Sequence, residues 1–86
     1  MSKLDKAKKR IASRPMDYTY TEARGLLQQL GFTEYTKGKT SGSRIKFFRE
    51  SDGRILLLHK PHPADVMSPG AIRDLANFLE SAGEIE

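Results

Sequence analysis

The sequence lacks several residue types and patterns, and each absence excludes a class of protein. None of its 86 residues is cysteine, which excludes disulfides and thiolate metal sites. It has no tryptophan and only two histidines, His59 and His62. Its longest apolar run, residues 55–58, is far too short to span a bilayer, and residues 1–14 are too highly charged for a signal peptide. We therefore expect a cytoplasmic protein that does not contact a membrane.

Positive charge is concentrated in two segments of the chain. Residues 1–14 carry six Lys or Arg against Asp5, a net charge of +5. Residues 37–60 carry seven Lys or Arg against Glu50 and Asp52, again +5, while the total for the chain is only +4. Segregated basic segments are typical of proteins that bind phosphate backbones. A solvated surface with no partner is the alternative explanation.

The hydrophobic periodicity predicts one α+β domain. Apolar residues recur at helical spacing in residues 3–13, 21–30 and 69–82, and strand patterns occupy residues 32–36, 44–49 and 54–59. The expected architecture is a three-stranded antiparallel sheet with helices on one face. We divide this single domain into a basic N-terminal helix, residues 1–14, and a main part, residues 15–86. The thin apolar stripe of the first helix predicts loose docking.

Local signals mark the ends of these elements. Thr19 and Glu22 have the spacing of a capping box, which predicts the start of the second helix. Asp52 and Gly53 predict a tight hairpin between the second and third strands. Ser68 followed by Pro69 predicts the start of the last helix. The unbroken apolar run of residues 55–58 predicts a third strand that is central or buried on both faces.

Three segments resemble a known family when their order and spacing are taken together. Residues 26–32 (LLQQLGF) resemble its helix leading into Gly-Phe and a first strand, and residues 39–47 (KTSGSRIKF) resemble its Gly-Ser-His turn and second strand. Residues 58–63 (LHKPHP) resemble its Pro-x-His segment. The family is that of the HicA-type mRNA interferase toxins, and the resemblance covers about residues 17–83. Arg44 replaces the family's catalytic histidine after Gly-Ser, as in a sub-branch of that family.

This resemblance implies both a fold and an activity. The fold would be the double-stranded-RNA-binding-like α-β-β-β-α arrangement, preceded here by an extra helix. The activity would be that of a type II toxin that cleaves mRNA without a metal or other cofactor. Its partners would be mRNA and a cognate HicB-like antitoxin.

The two histidines are the candidate catalytic residues. Histidine suits proton transfer near neutral pH because its unperturbed pKa is about 6.5. We expect His59 at the end of the third strand to lie opposite Arg44, and we favour His62 because it matches the family's Pro-x-His position. The RNA-binding candidates are Arg44, Lys46, Lys60, Ser43, Phe48 and Lys39. Structural or binding-only roles for both histidines are the alternative, and a metal site lacks a third ligand.

A second function stays open at this point, a non-catalytic RNA-binding module of the same fold. Such a module would use Arg44, Lys46 and Lys60 on phosphates without any proton transfer. An ordinary double-stranded-RNA-binding domain would have a lysine-rich start to its last helix, whereas residues 68–72 contain no lysine. An interaction adaptor that binds no nucleic acid would leave the basic central strands unexplained.

Overall fold

A computed structural model describes residues 2–35, 44–61 and 64–85 of the chain. Its elements follow one another as α1 (Lys3–Ala12), α2 (Tyr20–Gln29), β1 (Thr33–Tyr35), β2 (Arg44–Arg49), β3 (Arg54–His59) and α3 (Pro69–Ser81). This order confirms the predicted α+β class and the α-β-β-β-α arrangement after an extra N-terminal helix. None of the described helices has the length and apolar character needed to cross a bilayer.

The helices begin and end within one residue of the predicted positions, because side chains and turn residues satisfy their free backbone groups. The Thr19 hydroxyl accepts from the backbone N–H of Glu22, and the Glu22 carboxylate accepts from the N–H of Thr19, both at 3.1 Å. The capping box at the start of α2 is therefore confirmed. Gly31 then ends this helix with a φ of 94°, a conformation that a side chain disfavours. At the start of α3, the Ser68 hydroxyl accepts from the N–H of Ala71 at 3.2 Å.

The three strands form an antiparallel sheet in the order β1-β2-β3. The β2–β3 hairpin is continuous, from Arg44 opposite His59 to Arg49 opposite Arg54. It closes through the predicted turn, in which Gly53 has a φ of 68°. β1 is shorter than predicted, because Phe32 lies outside the strand and is buried in the core.

All three helices contribute to one core on a single face of the sheet, which we call the inner face. The core includes Ile11, Leu27, Phe47, Leu56, Leu58 and Leu75. The predicted loose docking of α1 is wrong at its C-terminal end, because the Ile11 side chain is completely buried. The first helix is thus part of the helical layer, packed against α2 and α3.

The opposite face of the sheet, which we call the open face, is not covered by any described element. Alternation along the strands assigns to it Thr33, Tyr35, Arg44, Lys46, Phe48, Ile55, Leu57 and His59. The prediction that the third strand is central or buried on both faces is wrong. β3 is an edge strand, and Ile55 and Leu57 are 51% and 52% exposed. The reason is that all the helices pack on the inner face, where Leu56 and Leu58 are buried.

Candidate functional site

Arg44 and His59 lie side by side at one end of the open face. The strand register pairs them directly across β2 and β3, as the sequence predicted, and both residues are exposed. Side chains of directly opposed residues in an antiparallel pair have Cβ atoms about 5 Å apart. A guanidinium and an imidazole can therefore contact the same small group, such as one phosphate, from two neighbouring strands.

Arg44 differs from the other arginines in having no acidic partner among the residues that the structure describes. Six arginines form ion pairs with Asp or Glu side chains: Arg10, Arg14, Arg24, Arg49, Arg54 and Arg73. Lys46, two residues along β2 from Arg44, likewise has no ion pair within the described part of the chain. Both cations point from the open face, so their charge is available to an anion.

Glu22 and Glu34 instead form their ion pairs with arginines of the helices. Glu22 accepts hydrogen bonds from Arg10, and this interaction lowers the pKa of the Glu22 carboxyl. Glu34 pairs with Arg24 at 2.8 Å and accepts a 2.7 Å hydrogen bond from the Tyr20 hydroxyl. Burial and this hydrogen bond both raise the pKa of Tyr20. The eight residues of the open face include no Asp or Glu, so its potential is positive.

The chain that leaves β3 is anchored to the start of α2. Tyr20 donates its backbone N–H to the carbonyl of Asp65 at 2.8 Å, and Met67 donates to the carbonyl of Tyr18 at 2.9 Å. The Asp65 carboxylate also accepts from the N–H of Thr21 at 3.2 Å. No periodicity in the sequence indicates this contact, because it joins the short segment before α3 to the first residues of α2 and the residues just before them. It fixes the return of the chain from His59 towards α3.

Two aromatic rings lie on the open face beside the cations. Phe48, one of the predicted RNA-binding residues, is partly exposed and shares this face with Arg44 and Lys46, whereas Phe32 and Phe47 are buried in the core. Tyr35 on β1 is 49% exposed and contacts Phe48 edge-on, with ring centroids 6.4 Å apart. The sequence interpretation missed Tyr35 as a candidate. The alternation of side chains along β1 indicates that Tyr35 is on the same face as Thr33. The sequence does not show the register with β2, which places Tyr35 beside Lys46.

The remaining predicted residues divide into two groups. Lys60 directly follows His59 and is exposed. His62, Ser43 and Lys39 lie outside the described residues. Within the described ranges, the structure has no group of three or more His, Cys, Asp or Glu side chains that could hold a metal ion. The described candidate residues thus form one surface made of Arg44, Lys46, Phe48 and His59, with Lys60 at its end.

A comparison with protein families identifies the chain. A family model described as the HicA toxin of bacterial toxin–antitoxin systems matches residues 20–83, from the first residue of α2 to two residues past the end of α3. The chain belongs to the HicA toxin family. Comparisons with curated proteins and with solved structures found no match.

Membership of the HicA family carries two consequences for the surfaces described above. A toxin of a toxin–antitoxin system implies an antitoxin partner. The matched residues include the whole sheet and α2 and α3, but not α1, which precedes them. The open face therefore lies entirely within the HicA-like part of the chain, whereas the basic residues of α1 do not.

Proposed function

We propose that this HicA chain is the toxin of a type II toxin–antitoxin pair and cleaves mRNA in the cytoplasm as a metal-independent endoribonuclease. The observation that supports this proposal most directly is the Arg44–His59 pair on the open face. A permanent cation without an acidic partner among the described residues lies beside an imidazole, the side chain that most often serves as a general acid or base.

The pair matches the requirements of RNA cleavage by the neighbouring 2′-hydroxyl. His59 takes the proton from the 2′-hydroxyl, whose oxygen then attacks the adjacent phosphorus. Arg44 binds the non-bridging oxygens of that phosphate and stabilises the additional negative charge of the phosphorane. The bond to the 5′-oxygen breaks, and this oxygen leaves with a proton from an acid, for which His62 is our candidate from the sequence. The products carry a 2′,3′-cyclic phosphate and a 5′-hydroxyl.

This assignment explains how a HicA chain with arginine at position 44 can keep the activity. The HicA motif to which residues 39–47 are similar has a histidine after Gly-Ser. In this chain the imidazole is supplied by His59, directly across the strand pair from that position. The two positions share one face of the sheet, with Cβ atoms about 5 Å apart. We propose that His59 on β3 takes the role of the motif's histidine on β2, and that Arg44, which occupies the motif's position, binds the phosphate.

The surrounding basic residues would hold the RNA in place and attract the antitoxin. Lys46 and Lys60 are exposed cations next to the pair. Ser43 and Lys39, assigned from the sequence, would contribute further phosphate contacts. A cognate HicB-like antitoxin would cover this basic surface with an acidic one, which speeds association as well as excluding RNA.

The first test is expression of the chain and its variants from a tightly controlled inducible promoter. We expect growth arrest and mRNA decay with the wild-type chain. His59→Ala should lower the cleavage rate by about 10²- to 10⁴-fold, as the loss of a general base does. His62→Ala tests the acid in the same way. Arg73→Ala is the matched control for Arg44→Ala, because Arg73 is an exposed arginine on α3, away from the open face.

A position exchange separates this mechanism from the alternative of a non-catalytic RNA-binding module. The double variant Arg44→His with His59→Arg restores the histidine to the position of the HicA motif, and we expect it to recover part of the activity that His59→Arg alone loses. Circular dichroism checks that each variant is folded. Normal growth and intact mRNA with soluble wild-type protein would contradict the nuclease proposal and favour the RNA-binding module.

A further inference from the structure

The open face combines apolar and cationic side chains in a regular arrangement. The strand register places Lys46 in one row between Tyr35 and Leu57. Phe48 and Ile55 lie side by side in the next row, and Arg44 and His59 form the row on the other side of Lys46. Neighbouring side chains in these rows are about 5 Å apart. A ligand on this face therefore meets apolar surface and positive charge within the same short distance.

Several large apolar side chains on this face are exposed next to one another, and a contiguous exposed apolar patch is typical of a binding surface. Tyr35, Ile55 and Leu57 are each about half exposed, at 49%, 51% and 52%. Tyr35 and Phe48 contact each other edge-on, with an interplanar angle of 61°, and an edge contact covers little of the ring faces. Flat apolar groups can stack on such rings.

The position of Lys46 decides between a protein and a nucleic acid as the occupant. The buried centre of a protein–protein interface is depleted of lysine, because the ammonium group loses its hydration there. On this face Lys46 lies between Tyr35 and Leu57, with Phe48 in the row on one side and Arg44 in the row on the other. Single-stranded RNA presents flat bases and phosphates in alternation, so it satisfies the rings and the ammonium group together.

We infer that the open face binds single-stranded RNA, with Tyr35 and Phe48 stacking on unpaired bases while Lys46 and Arg44 bind the phosphates between them. This inference depends on the proposed function for the choice of RNA and adds to it a class of substrate. A duplex keeps its bases stacked inside the helix, where two rings on a sheet cannot reach them. The Tyr35–Phe48 platform thus selects unpaired segments of RNA and delivers the adjacent phosphate towards Arg44 and His59.

The test measures binding separately from cleavage. A fluorescent single-stranded RNA is made with 2′-O-methyl groups, so the full-length chain cannot cleave it by the proposed route. Its affinity, from fluorescence anisotropy, is compared with that of the same strand in a duplex and of an abasic strand of equal length. We expect the single strand to bind at least about fivefold more tightly than the abasic strand, as one stacked base does.

Variants locate the stacking on the open face. Tyr35→Ala should weaken binding of the single strand by about fivefold or more, whereas Tyr35→Phe, which keeps the ring, should bind like the wild type. Met16→Ala is the matched control, since Met16 is an apolar side chain that is 82% exposed and lies between α1 and α2, outside the sheet. In a Tyr35→Trp variant, the only tryptophan of the chain reports stacking by loss of its emission when RNA is added.

Several results would overturn the inference without touching the nuclease proposal. Equal affinity for the abasic strand would mean that charge alone holds the RNA. Unchanged binding by Tyr35→Ala would place the RNA elsewhere. Loss of antitoxin binding in Tyr35→Ala, with RNA binding unchanged, would make this face a protein-docking surface. Conversely, stacking by a chain that never cleaves mRNA would uphold the inference and contradict the proposed cleavage.

Discussion

Arg49 shows how a single charged residue can be structural within a basic segment. It lies two residues beyond Phe47 on the inner face of β2, and only 8% of its surface is exposed. Its guanidinium binds Asp52 at 2.8 Å, Glu84 at 2.7 Å and the carbonyl of Leu30 at 3.1 Å. These contacts join the β2–β3 turn, the end of α2 and the residues after α3. Counting Arg49 with the RNA-binding cations would therefore be a mistake that the sequence alone cannot prevent.

Asp52 gives this network a measurable pH dependence. Hydrogen bonds from the Arg49 side chain, together with contacts to Arg54, lower the pKa of Asp52 to about 2. A carboxyl with a lowered pKa in the folded state stabilises the fold above its unfolded pKa of about 4. This stabilisation is lost as the pH falls through about 2. We expect the free energy of unfolding to fall less between these two pH values in Asp52→Asn than in the wild type.

Urea unfolding at a series of pH values measures this difference. Glu50→Gln is the matched control, because Glu50 is an exposed acid in the same turn with no ion pair to a described residue. The control should keep the acid sensitivity of the wild type. Parallel curves for Asp52→Asn and the wild type would show that the Arg49 network does not depend on the charge of Asp52.

At the scale of elements, the sequence predicted the type and the ends of each helix and strand better than it predicted which of their faces are buried. Caps and turn residues act locally, so Thr19, Gly31 and Ser68 could be assigned from their neighbours alone. The surroundings of residues 55–58 could not be assigned in this way. Four consecutive apolar residues in a strand are compatible with burial on both faces and also with one exposed apolar face. Which of these occurs depends on where the helices pack. In this fold all three pack on the inner face, and β3 keeps half of its apolar residues exposed.

The N-cap of α2 does more than start one helix. Thr19 pairs with Val66 in an isolated β-bridge, so the residue that starts α2 also anchors the segment before α3. We expect Thr19→Ala to lower the free energy of unfolding by about 1 kcal/mol, the usual cost of losing a cap. Amide hydrogen exchange at Met67, which donates to the carbonyl of Tyr18, should become faster.

Thr21→Ala is the control for this prediction. Thr21 lies two residues further along, in the first turn of α2, and its exposed hydroxyl makes no hydrogen bond to any described residue. It should change stability by much less than Thr19→Ala. Equal losses of stability in the two variants would contradict the prediction, because Thr21→Ala leaves the capping box intact and alanine has the higher helix propensity.

At the scale of the whole molecule, the two basic segments have separate surroundings. Arg44 and Lys46 of β2 lie on the open face, whereas α1 packs with α2 and α3 in the helical layer behind the sheet. The sequence shows both segments as equally basic, with +5 each. It cannot show which of the charges are paired, because some acidic partners are far away along the chain, as Glu84 is from Lys8 and Arg49.

This separation predicts different salt dependences for variants that each remove one charge. Binding of the uncleavable single-stranded RNA weakens with salt, and each phosphate contact contributes about 0.7 to the slope of log affinity against log salt concentration. Lys46→Ala should therefore reduce the slope by about 0.7, because Lys46 lies on the open face. Lys6→Ala removes an equal charge from an exposed position on α1 and should leave the slope unchanged. Equal reductions in the two variants would mean that RNA responds to the net charge of the chain, and that the open face is not its specific binding surface.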